Sequence, residues 1–257
     1  MSKNLESLID RLETKLGKKK PTRGGRQDYK ALKALEDKHV MKLKEGKNNI
    51  VIITPEGQED PFTFLYYHLN LSSIAPWIRT YCPQGNADEE CVVCNTIKSL
   101  QEDNYKGNMA LWQPILQKID YYVPAINVES AATIAEGPKW VKLSKTVTSV
   151  LTEWIKNLEE GEEPFYSDDE PQKLTITYTK GVAPAEQYKV DKKNYKAFDE
   201  QTLARFRSQI ISLYDIYPSK SNEELKKLLD EYLVRIQESI DSTTEAGEDS
   251  PLGFLKK

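Results

Sequence analysis

Apolar positions along the chain alternate between a helical and a strand period, and that switching lays out the elements. Leu5, Leu8, Ile9, Leu12 and Leu16 recur at helical spacing before Gly17, so residues 4–16 read as a short amphipathic helix. A helix this short is marginal alone. Its stripe needs a surface, either the body of the same molecule or a neighbouring one. Lys18, Lys19, Lys20, Arg23 and Arg26 follow among Pro21, Gly24 and Gly25 as a flexible basic tether. Residues 28–37 read as a second short helix. Alternation over 39–44, a turn at 45–48 and a return over 49–54 predict a hairpin, and residues 62–67 predict a strand that runs into His68.

Residues 95–102 have helical spacing, whereas 111–128 is rich in β-formers and interrupted by Pro114 and Pro124, which places those prolines at bends or edges. A strand over 140–143 leads through Ser144, an N-cap, into a helix with Val147, Val150, Leu151, Trp154, Ile155 and Leu158 on one face. An acidic loop with seven Asp and Glu occupies 159–171, followed by two pairing strands at 173–180 and 187–190. Residues 199–217 read as one helix, buried through Leu203, Phe206, Ile210, Leu213 and Tyr214. Ser221 and Glu224 form a capping box for a last amphipathic helix with Leu225, Leu229, Tyr232 and Ile236 in its stripe. From Asp241 the residues turn small and polar, so 241–257 is expected to be a flexible tail. The organisation is thus an arm (1–27), a core (28–240) and a tail.

Charge changes this picture in one respect. Residues 1–50 carry 14 Lys and Arg against 7 Asp and Glu, whereas 51–219 carry 16 against 24. A basic end on an acidic body argues against wholesale coating of duplex DNA, so any nucleic-acid site has to be a local groove with its own positive lining. No apolar run approaches the ~20 residues that span a bilayer, and residues 1–16 lack a signal-peptide core.

The candidate chemistry is concentrated. All three cysteines and one of the two histidines fall within 27 residues, as His68, thirteen residues, Cys82, eight, Cys91, two, Cys94. Four Cys and His donors fill the tetrahedral corners of a structural Zn²⁺ site, and the turn-rich loop 83–88 allows the chain to close the ring. One structural Zn²⁺ on His68, Cys82, Cys91 and Cys94 is therefore expected, and with it a reducing compartment rather than a disulfide framework. A catalytic zinc would leave one corner open and place a base nearby. The deaminase pattern of H-x-E with P-C-x-x-C is not met, because Leu69 and Asn70 follow His68 and Glu90 precedes Cys91. The chain also lacks G-x4-G-K-[ST], H-E-x-x-H and G-x-S-x-G, so a non-enzymatic role is expected.

Several short strands, a zinc-stapled loop and clustered Tyr and Trp with scattered Lys suggest an α+β fold with a mostly β core. The expected form is an OB-fold-type barrel with an inserted zinc-binding subdomain and C-terminal helices. In the order and spacing of His68, Cys82, Cys91 and Cys94 the sequence resembles the single-stranded DNA-binding, helix-destabilising proteins of T-even phages and their relatives. Residues 40–44 with 50–55 look like that family's first hairpin, 121–128 like its aromatic strand, and 222–225 like the start of its last core helix. The resemblance covers roughly residues 38–240. It implies a protein that coats ssDNA cooperatively in phage replication, recombination and repair, in the cytoplasm of an infected bacterium. By position Tyr121 and Tyr122 match groove aromatics and Lys142 a groove cation. The local clustering of rings and lysines adds Tyr105, Trp112, Lys118, Trp140, Tyr178 and Lys180 as ssDNA contacts, each equally compatible with a half-buried structural role. The resemblance further implies head-to-tail self-association through residues 1–27 and contact with replication proteins through the tail. The alternative is a zinc-stabilised protein-interaction module serving replication or transcription, which the acidic body and apolar N-terminal helix also fit.

Overall fold

The structure, a computed structural model, describes residues 29–72, 77–102 and 108–243. The helix expected over 4–16, the basic tether, Tyr105 and the tail beyond 243 lie outside these residues. In chain order the elements begin with α1 (Tyr29–His39), β1 (Val40–Met41), β2 (Gly46–Ile52), β3 (Thr63–His68) and β4 (Thr80–Tyr81). Next come α2 (Pro83–Ala87), α3 (Val92–Glu102), α4 (Asn108–Trp112), a 3-10 turn (Gln113–Ile115), β5 (Lys118–Asn127), α5 (Ala131–Ala135) and β6 (Lys139–Leu143). The chain continues through α6 (Lys145–Lys156), β7 (Gln172–Tyr178), β8 (Tyr188–Asn194), α7 (Glu200–Gln209), α8 (Leu213–Ile216) and α9 (Asn222–Thr243).

Among the described residues these elements divide into two compact units, one drawn from 29–65 and 120–217, the other from 66–119 and 218–243. The sheet is mixed and runs β1-β6-β5-β2-β7-β8, with β3 also paired to β5 and β4 to β3. Its path is open. The fold is therefore α+β with a mostly β sheet, and the barrel closure expected from the sequence is not seen.

In the first unit Ile50, Ile52, Val123, Val141, Leu174 and Ile176 are buried on the strands, with Val147 and Leu151 of α6. Ser144 caps α6 by accepting from the Val147 N–H at 3.2 Å, an interaction worth about 1 kcal/mol. A second cluster packs Leu203 and Phe206 of α7 against Ile53 and Ile126.

Three expectations are corrected here. Residues 39–54 do not form a hairpin: Val40 and Met41 pair in parallel with Trp140 and Val141, and β2 pairs with β5 and β7. Asn48 explains this. Its side chain accepts from the Lys44 N–H and donates to the carbonyls of Lys44 and Ile176, so the turn is tied to β7 instead of folding β1 onto β2. Residues 111–115 are helical, because Pro114 sits in the first turn of the 3-10 segment, where its missing N–H costs nothing. Residues 199–217 are two helices. The Trp140 indole N–H takes the Ile211 carbonyl at 2.9 Å, and Ser212 starts α8 as a new N-cap. Pro124 lies inside β5, one residue beyond Ala125, the last partner of β2.

Candidate metal centre

The centre lies wholly within the second unit, and short-range backbone bonds assemble it. β3 delivers His68 at its end, and the antiparallel pairs Tyr67↔Tyr81 and His68↔Thr80 bring Cys82, the next residue, alongside. The Cys82 N–H donates to the Tyr66 carbonyl at 3.0 Å. Asn86 grips the same residue from both sides: the Tyr66 N–H donates to its Oδ1 at 2.8 Å, and its Nδ2 donates to the Tyr66 carbonyl at 2.9 Å. Gly85 is required at this approach, since a Cβ there would overlap the ring of Tyr66. Asp88 then turns the chain in the left-handed region (φ 51°), and the Glu89 N–H closes the turn on the Pro83 carbonyl at 3.3 Å.

Cys91 stands just before α3 and Cys94 in its first turn, so both sulfurs meet the positive end of that helix, which favours thiolates. Asn222, the first residue of α9, holds the loop on either side of Cys91. Its Nδ2 donates to the Glu90 carbonyl at 2.8 Å, and its Oδ1 accepts from the Val92 N–H at 3.0 Å. Behind the cluster Leu71, Val93, Ile97, Ile115, Leu225 and Leu229 form an apolar core, and the Tyr232 hydroxyl donates to the Leu111 carbonyl at 2.7 Å.

The four donor atoms all lie within 4.8 Å of one another. His68 Nε2 is 3.6 Å from both Cys91 Sγ and Cys94 Sγ, and Cys82 Sγ is 3.6 Å from Cys94 Sγ. Bonds of about 2.3 Å to sulfur and about 2.0 Å to nitrogen give tetrahedral edges of roughly 3.5–3.8 Å. Three of the six edges match these lengths and all lie within 4.8 Å, so the four residues could bind one metal ion. His68 Nδ1 lies 2.8 Å from the Ile115 carbonyl, which makes that nitrogen a donor and directs Nε2 at the sulfurs. His68, Cys82 and Cys91 are fully buried; Cys94 is half-buried. Gln117 covers that more open side, its amide donating to Cys82 Sγ at 3.1 Å and reaching Cys94 Sγ at 3.8 Å.

Electrostatics point the same way. Burial works against the charged form of His68, but the Cys82 and Cys91 thiols beside it outweigh burial and push the imidazole up to about 9. Hydrogen bonds from Cys91 and Cys94 hold the Cys82 thiol far below its ordinary range, while the Cys82 and Cys91 sulfurs push Cys94 far above it. Three thiols this close cannot all ionise on their own account; a divalent cation among them is the charge that lets them do so together.

No protein-family model and no curated protein matches the chain. The site has to be read from its own geometry.

The residues expected to contact ssDNA are dispersed. Tyr122 (1% exposed) and Trp140 (4%) are core side chains, the first tilted against Tyr217 and the second spending its N–H on Ile211. Both rings are packed in the core of the first unit, the structural role weighed beside ssDNA contact. Lys142 is paired with Asp120 at 2.8 Å. Tyr121 is half-buried, edge-on to Phe64, and Tyr178 stacks on Tyr188 with ring centroids 5.0 Å apart. Lys118 and Lys180 are exposed, and Trp112 packs half-buried on the core behind the metal cluster. In the first unit a cleft of about 530 Å³ is lined by Glu56, Asp168, Asp169 and Glu200, with Arg207 already bonded to Asp168; its charge is wrong for phosphate. Spacing alone did not mark Gly85, Asn86, Gln117 or Asn222, since none is a ligand.

Proposed function

We propose that the protein is a non-enzymatic single-stranded DNA-binding protein, stabilised by one structural Zn²⁺ on His68, Cys82, Cys91 and Cys94. The observation that carries this reading is the donor set itself. It offers four protein donors within 4.8 Å of one another, three of them fully buried, in the order and spacing that resemble those of the phage ssDNA-binding proteins. A closed N/S set of this kind holds shape rather than activating water. Binding would use stacking on exposed rings, each worth about 1–3 kcal/mol, together with phosphate contacts that weaken as salt rises. The test is a titration of the full chain with oligo-dT, followed by tryptophan fluorescence at several salt concentrations. Salt-sensitive, saturable binding is expected; none at low salt rejects the reading. Removing residues 1–27 should reduce cooperativity far more than single-site affinity, and equal cooperativity in the two forms would reject the arm's role.

A protein-interaction module is the second reading, favoured by Trp77 and Ile78, which stand exposed in the metal-binding unit (77% and 41%). An oligonucleotide gel shift set against pull-down of a protein partner separates the two.

A further inference from the structure

The register of β2, β7 and β8 assigns every side chain on this three-stranded ribbon to one of two faces, because directly opposed residues share a face. One face is apolar and covered: Ile50, Leu174 and Ile176 are buried on it, and Lys192 lies over the Trp154 ring at 5.2 Å. The other face consists of three rows. They are Lys47–Thr177–Lys189, Asn49–Thr175–Asp191 and Val51–Lys173–Lys193. Lys47, Lys189, Asp191 and Lys193 are exposed, Asn49, Lys173, Thr175 and Thr177 are half-buried, and Val51 is fully buried, so the face is open toward β8 and covered where its third row reaches β2.

We propose that this second face is a phosphate-backbone binding surface for single-stranded nucleic acid, with Lys47, Lys173, Lys189 and Lys193 as its cations. The inference rests on the ssDNA reading above and gives that reading a location. Three features carry it. None of the four lysines has an ion-pair partner among the described residues, unlike Lys139 and Lys142 on the neighbouring strand β6. Lys173 and Lys193 stand directly opposite each other, a like-charge pair that costs a sheet stability unless an anion lies between them. Lysines on an edge strand also discourage strand addition, which accounts for Lys189 and Lys193 on β8 but not for Lys47 and Lys173 on the inner strands.

Between the two lysine rows lie two uncharged hydrogen-bonding residues, Asn49 and Thr175, and one carboxylate, Asp191. The Thr175 hydroxyl donates to Asn49 Oδ1 at 2.8 Å, which leaves the Asn49 NH₂ group to donate elsewhere. Lys189 and Lys193 are four positions apart, about 13 Å along a strand, enough for a backbone to cross from one row to the other. Asp191, in the middle row, is the one carboxylate on the face and opposes the same ligand.

The test uses the full chain and oligo-dT, plotting the logarithm of affinity against the logarithm of salt concentration. Replacing the four lysines together (Lys47→Gln, Lys173→Gln, Lys189→Gln, Lys193→Gln) should flatten the slope by about 2–3, at roughly 0.7 per phosphate contact on a single strand. Lys226→Gln with Lys227→Gln, exposed cations on α9, should leave it unchanged. Asp191→Asn should raise affinity. Lys193→Gln alone should weaken binding yet leave the melting temperature equal or higher, because it relieves the pair with Lys173. An unchanged slope in the fourfold variant, with the wild-type chain binding, overturns this proposal alone, as does an equal loss in the α9 control. No binding by the wild-type chain overturns both this proposal and the functional reading.

Discussion

His68 Nδ1 lies 2.8 Å from the carbonyl oxygen of Ile115, a residue 47 positions away. That bond fixes the orientation of the imidazole and turns Nε2 toward the three sulfurs. The purified protein is expected to hold one Zn²⁺ per chain. Chelation, or His68→Ala, should lower the melting temperature by roughly 10 °C or more, as loss of a few kcal/mol does in a domain of this size. Elemental analysis with calorimetry checks this; a metal-free chain melting at the same temperature would refute it.

Gln117 should slow the loss of metal. Its amide donates to Cys82 Sγ and covers the half-buried Cys94, and loss of such an outer partner commonly costs 10–100-fold in metal affinity. Gln117→Ala is expected to speed transfer of zinc to a chromogenic chelator by about that factor while leaving the fold intact. Replacing Zn²⁺ with Co²⁺ and recording its absorption tests whether the tetrahedral site itself persists.

Loading the metal should expel protons. In the metal-free chain at pH 7, His68, raised to about 9, is protonated, and Cys94, raised by its neighbouring sulfurs, is a thiol. Both must lose their protons to become ligands, so affinity rises with pH from neutrality toward about 9 and falls in acid. Calorimetry in two buffers of different ionisation enthalpy reads this directly. Identical heats in both would contradict it.

Trp140 should matter for stability and Trp77 should not. Trp140 is buried and its indole N–H donates to the Ile211 carbonyl, whereas Trp77 is 77% exposed. Trp140→Phe is expected to lower the melting temperature through the lost buried hydrogen bond, and Trp77→Phe to leave it unchanged. Thermal melts of the two variants check this; equal effects would refute it.

The metal site was legible in the sequence because its information is local: four donors of rare residue types within 27 positions. The caps at Ser144 and Ser221 were legible for the same reason, the latter forming the expected reciprocal bonds with Glu224. What the sequence could not show depends on distant partners. Asn48 looked like a turn residue, but its bond to Ile176, 128 positions away, diverts β2 from the predicted hairpin. The break at Ile211 is set by Trp140, 71 positions away. Tyr122 and Trp140 carried the aromatic signature of a groove, yet alternation along a strand cannot say which face the rest of the chain will cover.

Asn222 clasps the loop around Cys91 from the far end of the sequence. A chain leaving the ribosome therefore exposes all four ligands some 130 residues before their clasp exists. Throughout that interval the sulfurs stand without their final support, and any ion they capture is held by an unfinished cage. A lasting grip on a metal has to wait until α9 arrives to seal the loop.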